Sequence, residues 1–221
     1  MRWIERFDLF LFDFDGLLVD TEPLHYRSYQ LLCERYGYQL PFDFDQYIQV
    51  AHTTSTGLRE SIHPHLDGDW DLLYKEKKAI YLELVRDGEL KLMAGVALLL
   101  EELARSGKKR CVVTHSVKMH VEAIKELLPV LKTIPVWITR EDYENPKPAP
   151  DGYAHAIELL GDHDDQIAGF EDSLRGLESL KGTRALPVLI CNESHPQMEG
   201  ANLKGTHHFA SIEAVPRTFG K

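Results

Sequence analysis

The chain has 221 residues, of which 43% are hydrophobic and 27% charged, a composition typical of a soluble globular protein with a sizeable core. The formal net charge of -10 argues against nucleic acid or a membrane surface as the main partner, because both are bound chiefly through positive charge. No apolar run is long enough to span a membrane and no signal peptide is recognisable, so we expect a cytoplasmic protein. Its oligomeric state is left open by the sequence.

An apolar, phenylalanine-rich run predicts a buried strand within residues 7–16, where Asp13 and Asp15 follow the run and Gly16 permits a sharp turn. Residues two apart on an extended chain share a face, so the two carboxyl groups converge at the carboxyl end of the strand. Two interpretations fit this pattern. Either the carboxylates hold a metal ion, or they are ordinary turn-forming aspartates.

Residues 21–93 are dominated by helical spacing and predict a helical insertion. One predicted helix covers 29–37 and ends at Gly37, and another covers 70–85. The three cysteines are far apart and form no Cys-x-x-Cys pair, so the sequence favours neither a disulfide framework nor a zinc site. We expect each cysteine to be a small buried apolar residue.

Helices and short apolar runs alternate through the rest of the chain. Helices are predicted at 95–106, 117–128, 151–160 and 174–181, and strands at 110–114, 134–139, 166–170, 186–191 and, at the edge of the sheet, 207–209. Helices that separate strands in this order predict parallel strands with right-handed crossovers, hence a doubly wound α/β sheet. We expect residues 1–20 and 94–221 to form this core and residues 21–93 a second domain.

Polar side chains follow several predicted strands, at the edge where ligands bind in such folds. They are Thr114 and Ser116, then Lys147, then Glu171 and Asp172. Taken singly, each has a structural alternative: the hydroxyl residues would cap a helix, the lysine would be solvated, and the acidic pair would complement a helix dipole. Their joint arrangement favours a binding site.

Taken together, these motifs resemble those of the haloacid dehalogenase-like hydrolase superfamily, within it the β-phosphoglucomutase-like group with a helical cap. The matching segments are Asp13-Phe14-Asp15-Gly16-Leu17-Leu18-Val19-Asp20-Thr21-Glu22, Val112-Val113-Thr114-His115-Ser116, Lys147-Pro148-Ala149-Pro150-Asp151 and Gly169-Phe170-Glu171-Asp172-Ser173. They occur in the family's order and span most of the chain. The resemblance implies a Rossmann-like core, with residues 21–93 as the cap.

The resemblance also implies roles for individual residues. Asp13 is expected to be the nucleophile, Asp15 the general acid and base, Thr114 a phosphate-binding hydroxyl and Lys147 a charge-neutralising cation. A Mg²⁺ ion is expected on Asp13, the backbone carbonyl of Asp15 and Asp172, with Glu171 close to it. The same motifs place three further residues among those that bind substrate: Gly16, His115 and Ser116.

The resemblance to cap residues of the mutases is weaker. His25, Arg59 and Lys77 are expected to bind substrate, but the alternatives are a packed helix histidine, a surface ion pair and a solvated helix lysine, the last of which we favour for Lys77. The mutases carry a lysine shortly before the arginine, whereas this chain has Thr54-Ser55-Thr56. This departure counts against mutase activity.

The second aspartate, Asp15, argues against dehalogenation, since a halide leaving group needs no proton. We therefore expect a Mg²⁺-dependent phosphatase of small phosphorylated metabolites, sugar or polyol phosphates, that acts through an aspartyl phosphate on Asp13. The alternatives are a hexose-phosphate mutase and a catalytically silent protein that binds phosphorylated metabolites.

Overall fold

A parallel sheet forms the centre of the molecule in the computed structural model, which describes residues 2–54, 56–88, 90–216 and 218–220. In this part of the chain the sheet has six strands in the order β3-β2-β1-β4-β5-β6. Their bounds are β1 Leu9–Phe12, β2 Lys109–Val113, β3 Val136–Ile138, β4 Ile167–Glu171, β5 Leu186–Ile190 and β6 His207–Phe209. The doubly wound α/β fold is confirmed, including the edge strand at 207–209.

Helices in the described ranges cover both faces of the sheet and build the insertion. They are α1 Glu22–Arg35, α2 Phe44–Thr53, α3 Gly57–Ile62, α4 Trp70–Asp87, α5 Val96–Arg105, α6 Lys118–Leu127, α7 Asp151–Leu160 and α8 Leu174–Lys181. Alternation along β1 explains the two layers. Phe10 and Phe12 belong to the hydrophobic cluster that includes residues of α5 and α6, whereas Leu9 and Leu11 belong to the cluster that includes residues of α7 and α8.

The first four helices, α1 to α4, pack around a hydrophobic cluster of their own, which includes Leu32, Ile48, Ile62 and Leu73. Helix α4 also touches the sheet region, since Tyr81 and Val85 are buried in the cluster with α5 and α6. The insertion is therefore helical, as the sequence predicts, and it rests directly on the sheet layer.

Two helices of the insertion, α2 and α3, are absent from the sequence predictions. The signal for α2 is a capping box, in which Asp43 accepts from the backbone of Gln46 and the Gln46 side chain accepts from the backbone of Asp43. Helix α3 has six residues, too few to show a helical period. Helix α1 begins well before residue 29 because Pro23 in the first turn is compatible with a helix start.

All three cysteines are buried and unpaired, as predicted. Within the described ranges, no helix has both the length and the apolar character needed to cross a membrane. Ser55, part of the sequence departure before Arg59, lies outside the described residues.

Candidate active site

The predicted motif residues meet at the carboxyl end of the sheet, because β1 lies between β2 and β4. Asp13 follows β1, Thr114 follows β2 and Asp172 follows β4, and all three are buried. Lys147 lies in the loop that precedes α7. These chain ends and the helices of the insertion enclose a cavity of about 500 Å³, lined by Asp13, Lys147 and Asp172 among others.

Lys147 is the centre of a buried charge network. Its Nζ donates to Asp13 Oδ1, to Glu171 Oε1 at 2.6 Å and to the Val113 carbonyl at 3.0 Å. Burial lowers the pKa of Lys147, but the carboxylates of Asp13 and Glu171 outweigh burial and raise it above its ordinary value. The side chain is therefore a fixed cation beside Asp13, and the solvated-loop interpretation is wrong.

His115 supports the backbone of Lys147 from the neighbouring motif. The Lys147 N–H donates to His115 Nε2 at 2.7 Å. Burial, followed by the charges of Lys147, Arg175 and Arg140, holds the pKa of His115 well below its usual range. The imidazole is therefore neutral, and it accepts a hydrogen bond that fixes the loop, although it also lines the cavity.

Asp13 and Asp172 form a pair of buried acids for which burial outweighs the neighbouring cations Lys147 and His52. Burial raises the pKa of Asp13, with Lys147 opposing this, and burial raises the pKa of Asp172 to about 7. Oxygen atoms of Asp13, Glu171 and Asp172 lie within 4.8 Å of one another. This all-oxygen donor set fits a hard divalent cation such as Mg²⁺, whose charge would stabilise both carboxylates.

Gly16 makes room for this arrangement. Its φ of 75° is in the left-handed region, and a Cβ at this position would lie 2.2 Å from Asp172 Oδ2. The glycine therefore permits both the turn after Asp15 and the approach of Asp172.

The Asp15 carboxylate is held by hydroxyl groups. Oδ1 accepts from Thr21 Oγ1 at 2.8 Å, and Oδ2 accepts from Ser116 Oγ at 2.7 Å and from Thr114 Oγ1 at 3.3 Å. Burial raises the pKa of Asp15, but hydrogen bonds from His25, Ser116 and Thr21 and the charge of His25 outweigh burial and lower it. Asp15 is thus a carboxylate in this conformation.

Thr114 and Ser116 do not cap the following helix, because the N-cap of α6 is Val117 and its side chain makes no capping bond. Both hydroxyl groups instead face Asp15. The helix-cap interpretation of these two residues is therefore wrong.

The cap residue His25 contacts Asp15, and Lys77 contacts His25. His25 Nε2 lies 3.4 Å from Asp15 Oδ1, and Lys77 Nζ lies 2.8 Å from His25 Nδ1. Lys77 is only 4% exposed and lies over the rings of Tyr29 and Tyr81, so its interpretation as a solvated lysine is wrong. Burial lowers the pKa of Lys77 to about 7.

Arg59 is exposed and also lines the cavity. No salt bridge to Arg59 is found in the described part of the chain, so the surface ion pair considered for it is not observed. The structure brings His25 to Asp15 and Lys77 to His25, whereas no hydrogen bond or ion pair of the Arg59 side chain to this network is found among the described residues.

Comparison with known proteins assigns the family. The model of the haloacid dehalogenase-like hydrolases matches residues 10–185. The chain belongs to this family. Protein CbbY of Cereibacter sphaeroides is 31% identical over 183 residues, which cover 78% of this chain and 79% of that protein. A phosphorylated carbohydrates phosphatase of Thermotoga maritima is 28% identical over 184 residues, 77% of this chain and 79% of that protein.

Solved structures agree with this assignment. The crystal structure of CbbY from Rhodobacter sphaeroides in complex with phosphate has a TM-score of 0.77 and 25% identity to this hydrolase, covering 93% of this chain and 94% of that one. The likeness therefore extends over the helical insertion as well as the sheet.

Sequence reasoning does not identify several residues that contact or line the site of this hydrolase. Tyr153 donates to Glu171 Oε1 at 2.6 Å and accepts from Lys147 at 3.2 Å. Its place in the first turn after the Lys147 motif was the available signal. Arg140 and Arg175 also line the cavity, but isolated arginines in loops or helix starts carry no signal of their own.

His52 of α2, which is close to Arg59 in the sequence, reaches the motif residues. Its Nε2 lies 3.3 Å from Glu22 Oε1, and its Nδ1 lies 3.8 Å from Asp172 Oδ2. Burial lowers the pKa of His52, but the carboxylates of Asp172 and Glu22 outweigh burial and raise it to about 9. This contact joins the insertion to the end of β4.

Proposed function

We propose that this hydrolase is a metal-dependent phosphatase that hydrolyses small phosphorylated metabolites, sugar or polyol phosphates, through a phosphoenzyme on Asp13. The observation that carries the proposal is the buried Asp13 carboxylate held against the Lys147 ammonium on the wall of a 500 Å³ cavity. A carboxylate nucleophile beside a fixed cation suits attack on an anionic phosphate ester. The named activity of the Thermotoga maritima relative and the phosphate in the CbbY structure support the same class of substrate.

In the first half-reaction, an Asp13 oxygen forms a bond to phosphorus while the bond from phosphorus to the ester oxygen breaks. Lys147 offsets the negative charge that Asp13 and the phosphoryl oxygens bring together. The leaving oxygen takes a proton from Asp15 in its protonated form. In the second half-reaction, Asp15 accepts a proton from the water that attacks phosphorus, and the Asp13 carboxylate is released.

The proton-donor role of Asp15 requires a change from the conformation described above. Hydrogen bonds from Thr21 and Ser116, and the neighbouring His25, stabilise the Asp15 carboxylate and disfavour its protonated form. We infer that substrate entry moves Asp15 away from these donors and toward the leaving oxygen. Thr21 and His25 would then hold the Asp15 carboxylate when no substrate is bound.

The metal expected at this site is Mg²⁺, held by Asp13 and Asp172, with the backbone carbonyl of Asp15 as a further ligand and Glu171 close by. When bound, it supplies the positive charge that lets an anionic phosphate approach Asp13. Glu171 is less available as a ligand than the other two acids, because Lys147, Tyr153 and Ser173 already donate to its oxygens. We therefore assign Glu171 chiefly to the positioning of Lys147.

We propose that residues 21–93 act as a cap that selects the substrate and that residues 1–20 and 94–221 carry the chemistry. In this proposal His25 and Lys77, which line the cavity together with Asp15, contact the leaving group, and Arg59 contacts another part of the substrate. The hydroxyl side chains of Thr54 and Thr56, in place of a lysine before Arg59, favour hydrolysis over mutase activity. A cytoplasmic location remains part of this proposal.

Replacement of the nucleophile tests the mechanism. Asp13→Asn preserves the size of the side chain but removes its negative charge, so we expect hydrolysis of an aryl phosphate to fall by at least about 1,000-fold. Phosphate release in the presence of Mg²⁺ is the measurement, with thermal unfolding as the check on folding. Asp164→Asn, at a side chain that is 99% exposed, is the matched control and should keep full activity. Substantial turnover by the Asp13 variant would refute the mechanism.

A further inference from the structure

A second group of possible ligands lies beside the expected Mg²⁺ site and is built from three parts of the chain. Glu22 begins α1, His52 lies near the end of α2, and Asp172 follows β4. One potential ligand atom from each residue lies within 4.8 Å of the other two. His52 is only 5% exposed, so its imidazole is buried in the interior of the protein.

The two ring nitrogens of His52 have different surroundings. Nε2 lies 3.3 Å from Glu22 Oε1 and is oriented by this carboxylate. Nδ1 is buried and has no hydrogen-bond partner among the described residues, although it faces Asp172 Oδ2 at 3.8 Å. A buried ring nitrogen that faces a carboxylate oxygen at more than hydrogen-bond distance is an unusual arrangement.

A metal ion that replaces the proton on His52 Nδ1 accounts for this separation. Metal–nitrogen and metal–oxygen bonds of about 2.0–2.2 Å place neighbouring ligand atoms roughly 3–4 Å apart. The Nδ1–Oδ2 distance of 3.8 Å falls in this range. A carboxylate on the other nitrogen of a metal-binding histidine is also the usual means of fixing its ring, and Glu22 occupies that place.

We propose that Asp172 Oδ2 and His52 Nδ1 bind a second divalent cation, with Glu22 holding the imidazole in position. An imidazole ligand favours Mn²⁺, Co²⁺ or Zn²⁺ over Mg²⁺, which prefers oxygen ligands. Asp172 is shared with the cluster of Asp13 and Glu171, so the two cations would be neighbours. Because His52 belongs to the insertion and Asp172 to the sheet, the second cation would join these parts of the molecule.

The binding of Mn²⁺ alone to the full-length protein tests this proposal. We expect two Mn²⁺ ions per chain by equilibrium dialysis, and electron spin echo modulation that reports a nitrogen bound directly to one of them. His52→Ala should bind a single Mn²⁺ and lose the nitrogen modulation. Glu22→Gln retains both direct ligands and should weaken the second site by about 10–100-fold.

A nearby histidine provides the matched control. The ring of His195 lies 5.4 Å from that of His52, and His195→Ala should keep both ions and the nitrogen modulation. The proposal is overturned if the wild-type protein binds only one Mn²⁺, or if nitrogen modulation persists in folded His52→Ala. These readouts do not depend on turnover, so their failure is distinguishable from failure of the phosphatase proposal.

Discussion

Burial determines the chemistry of single side chains in this hydrolase, and Lys77 shows the effect most clearly. In the sequence of α4, position 77 is one lysine in the charged run Lys75-Glu76-Lys77-Lys78 between apolar residues. The rings of Tyr29 and Tyr81 cover its Nζ, and His25 is its hydrogen-bond partner, none of which is evident from the sequence of one helix. A residue predicted to be solvated is therefore part of the cavity wall.

This burial should make the stability of the protein depend on pH. The pKa of Lys77 falls from 10.5 in the unfolded chain to about 7 in the folded protein, so the unfolded state binds more protons between these values. The contribution of Lys77 to stability is therefore least favourable below pH 7 and improves as the pH rises toward 10.5.

Lys77→Met removes this titration while it keeps a long side chain. Relative to the variant, the wild type should gain about 1.4 kcal/mol of unfolding free energy per pH unit above pH 7. Urea unfolding of both proteins between pH 6 and pH 9 measures the difference. Parallel curves for the two proteins over this range would contradict the depressed pKa.

Among the elements, helix α8 positions the site through its first turn. Gly176 lies against Glu171, and a Cβ at Gly176 would lie 2.0 Å from the Glu171 carboxyl carbon. The Gly176 N–H also donates to Ser173 Oγ, which in turn donates to Glu171. The close approach of α8 to the end of β4 thus holds the carboxylate that accepts from Lys147.

Gly176→Ala should displace Glu171 and with it Lys147. We expect kcat to fall by about 10–100-fold and the protein to lose roughly 1–3 kcal/mol of stability, since a methyl group is forced into a filled space. Steady-state kinetics and urea unfolding measure the two effects. Lys181→Ala, at the last residue of the same helix, is the control and should leave kcat unchanged. Wild-type kcat in the Gly176 variant would show that Glu171 does not position Lys147.

The helices and strands differ in how accurately the sequence predicts their bounds. Helices α7 and α8 have the predicted bounds, because each begins and ends at clear local signals. The strands are recognised from short apolar runs, and their parallel order follows from the helices between them. That order alone brings Asp13, Thr114 and Asp172 together, so the floor of the site is predictable from the fold.

The other residues of the site are brought together by contacts between helices and strands that are distant in sequence. His52 lies beside Asp172 because α2 packs against α8. The only sequence signal for α2 is its capping box. Tyr153 becomes part of the site through its contacts with Lys147 and Glu171, and Arg175 through the first turn of α8, where it lines the cavity. Side-chain directions of this kind are set by packing, which single-sequence periodicity does not contain.

The net charge of the whole molecule is negative, but unpaired positive charge lies along the cavity. The protein has 35 acidic and 25 basic residues, yet several basic side chains along the cavity have no carboxylate within salt-bridge distance in the described part of the chain. They are Arg59, Lys78, Arg140 and Arg175. Arg140 donates to the carbonyls of Tyr143 and Glu144, and Arg175 donates to that of Thr54, so neither guanidinium is neutralised.

This cationic rim, formed by these four side chains, should favour substrates that carry a second anionic group far from the phosphate that, in the proposed mechanism, reacts with Asp13. We expect Arg140→Ala and Arg175→Ala each to raise KM about 10-fold for a sugar bisphosphate, with a much smaller change for an aryl monophosphate. Steady-state phosphate release from both substrates is the measurement. Arg105→Ala, at a side chain that is 69% exposed, is the matched control and should alter neither KM. Equal losses on the two substrates would mean that the rim attracts any anion without recognising a second charge.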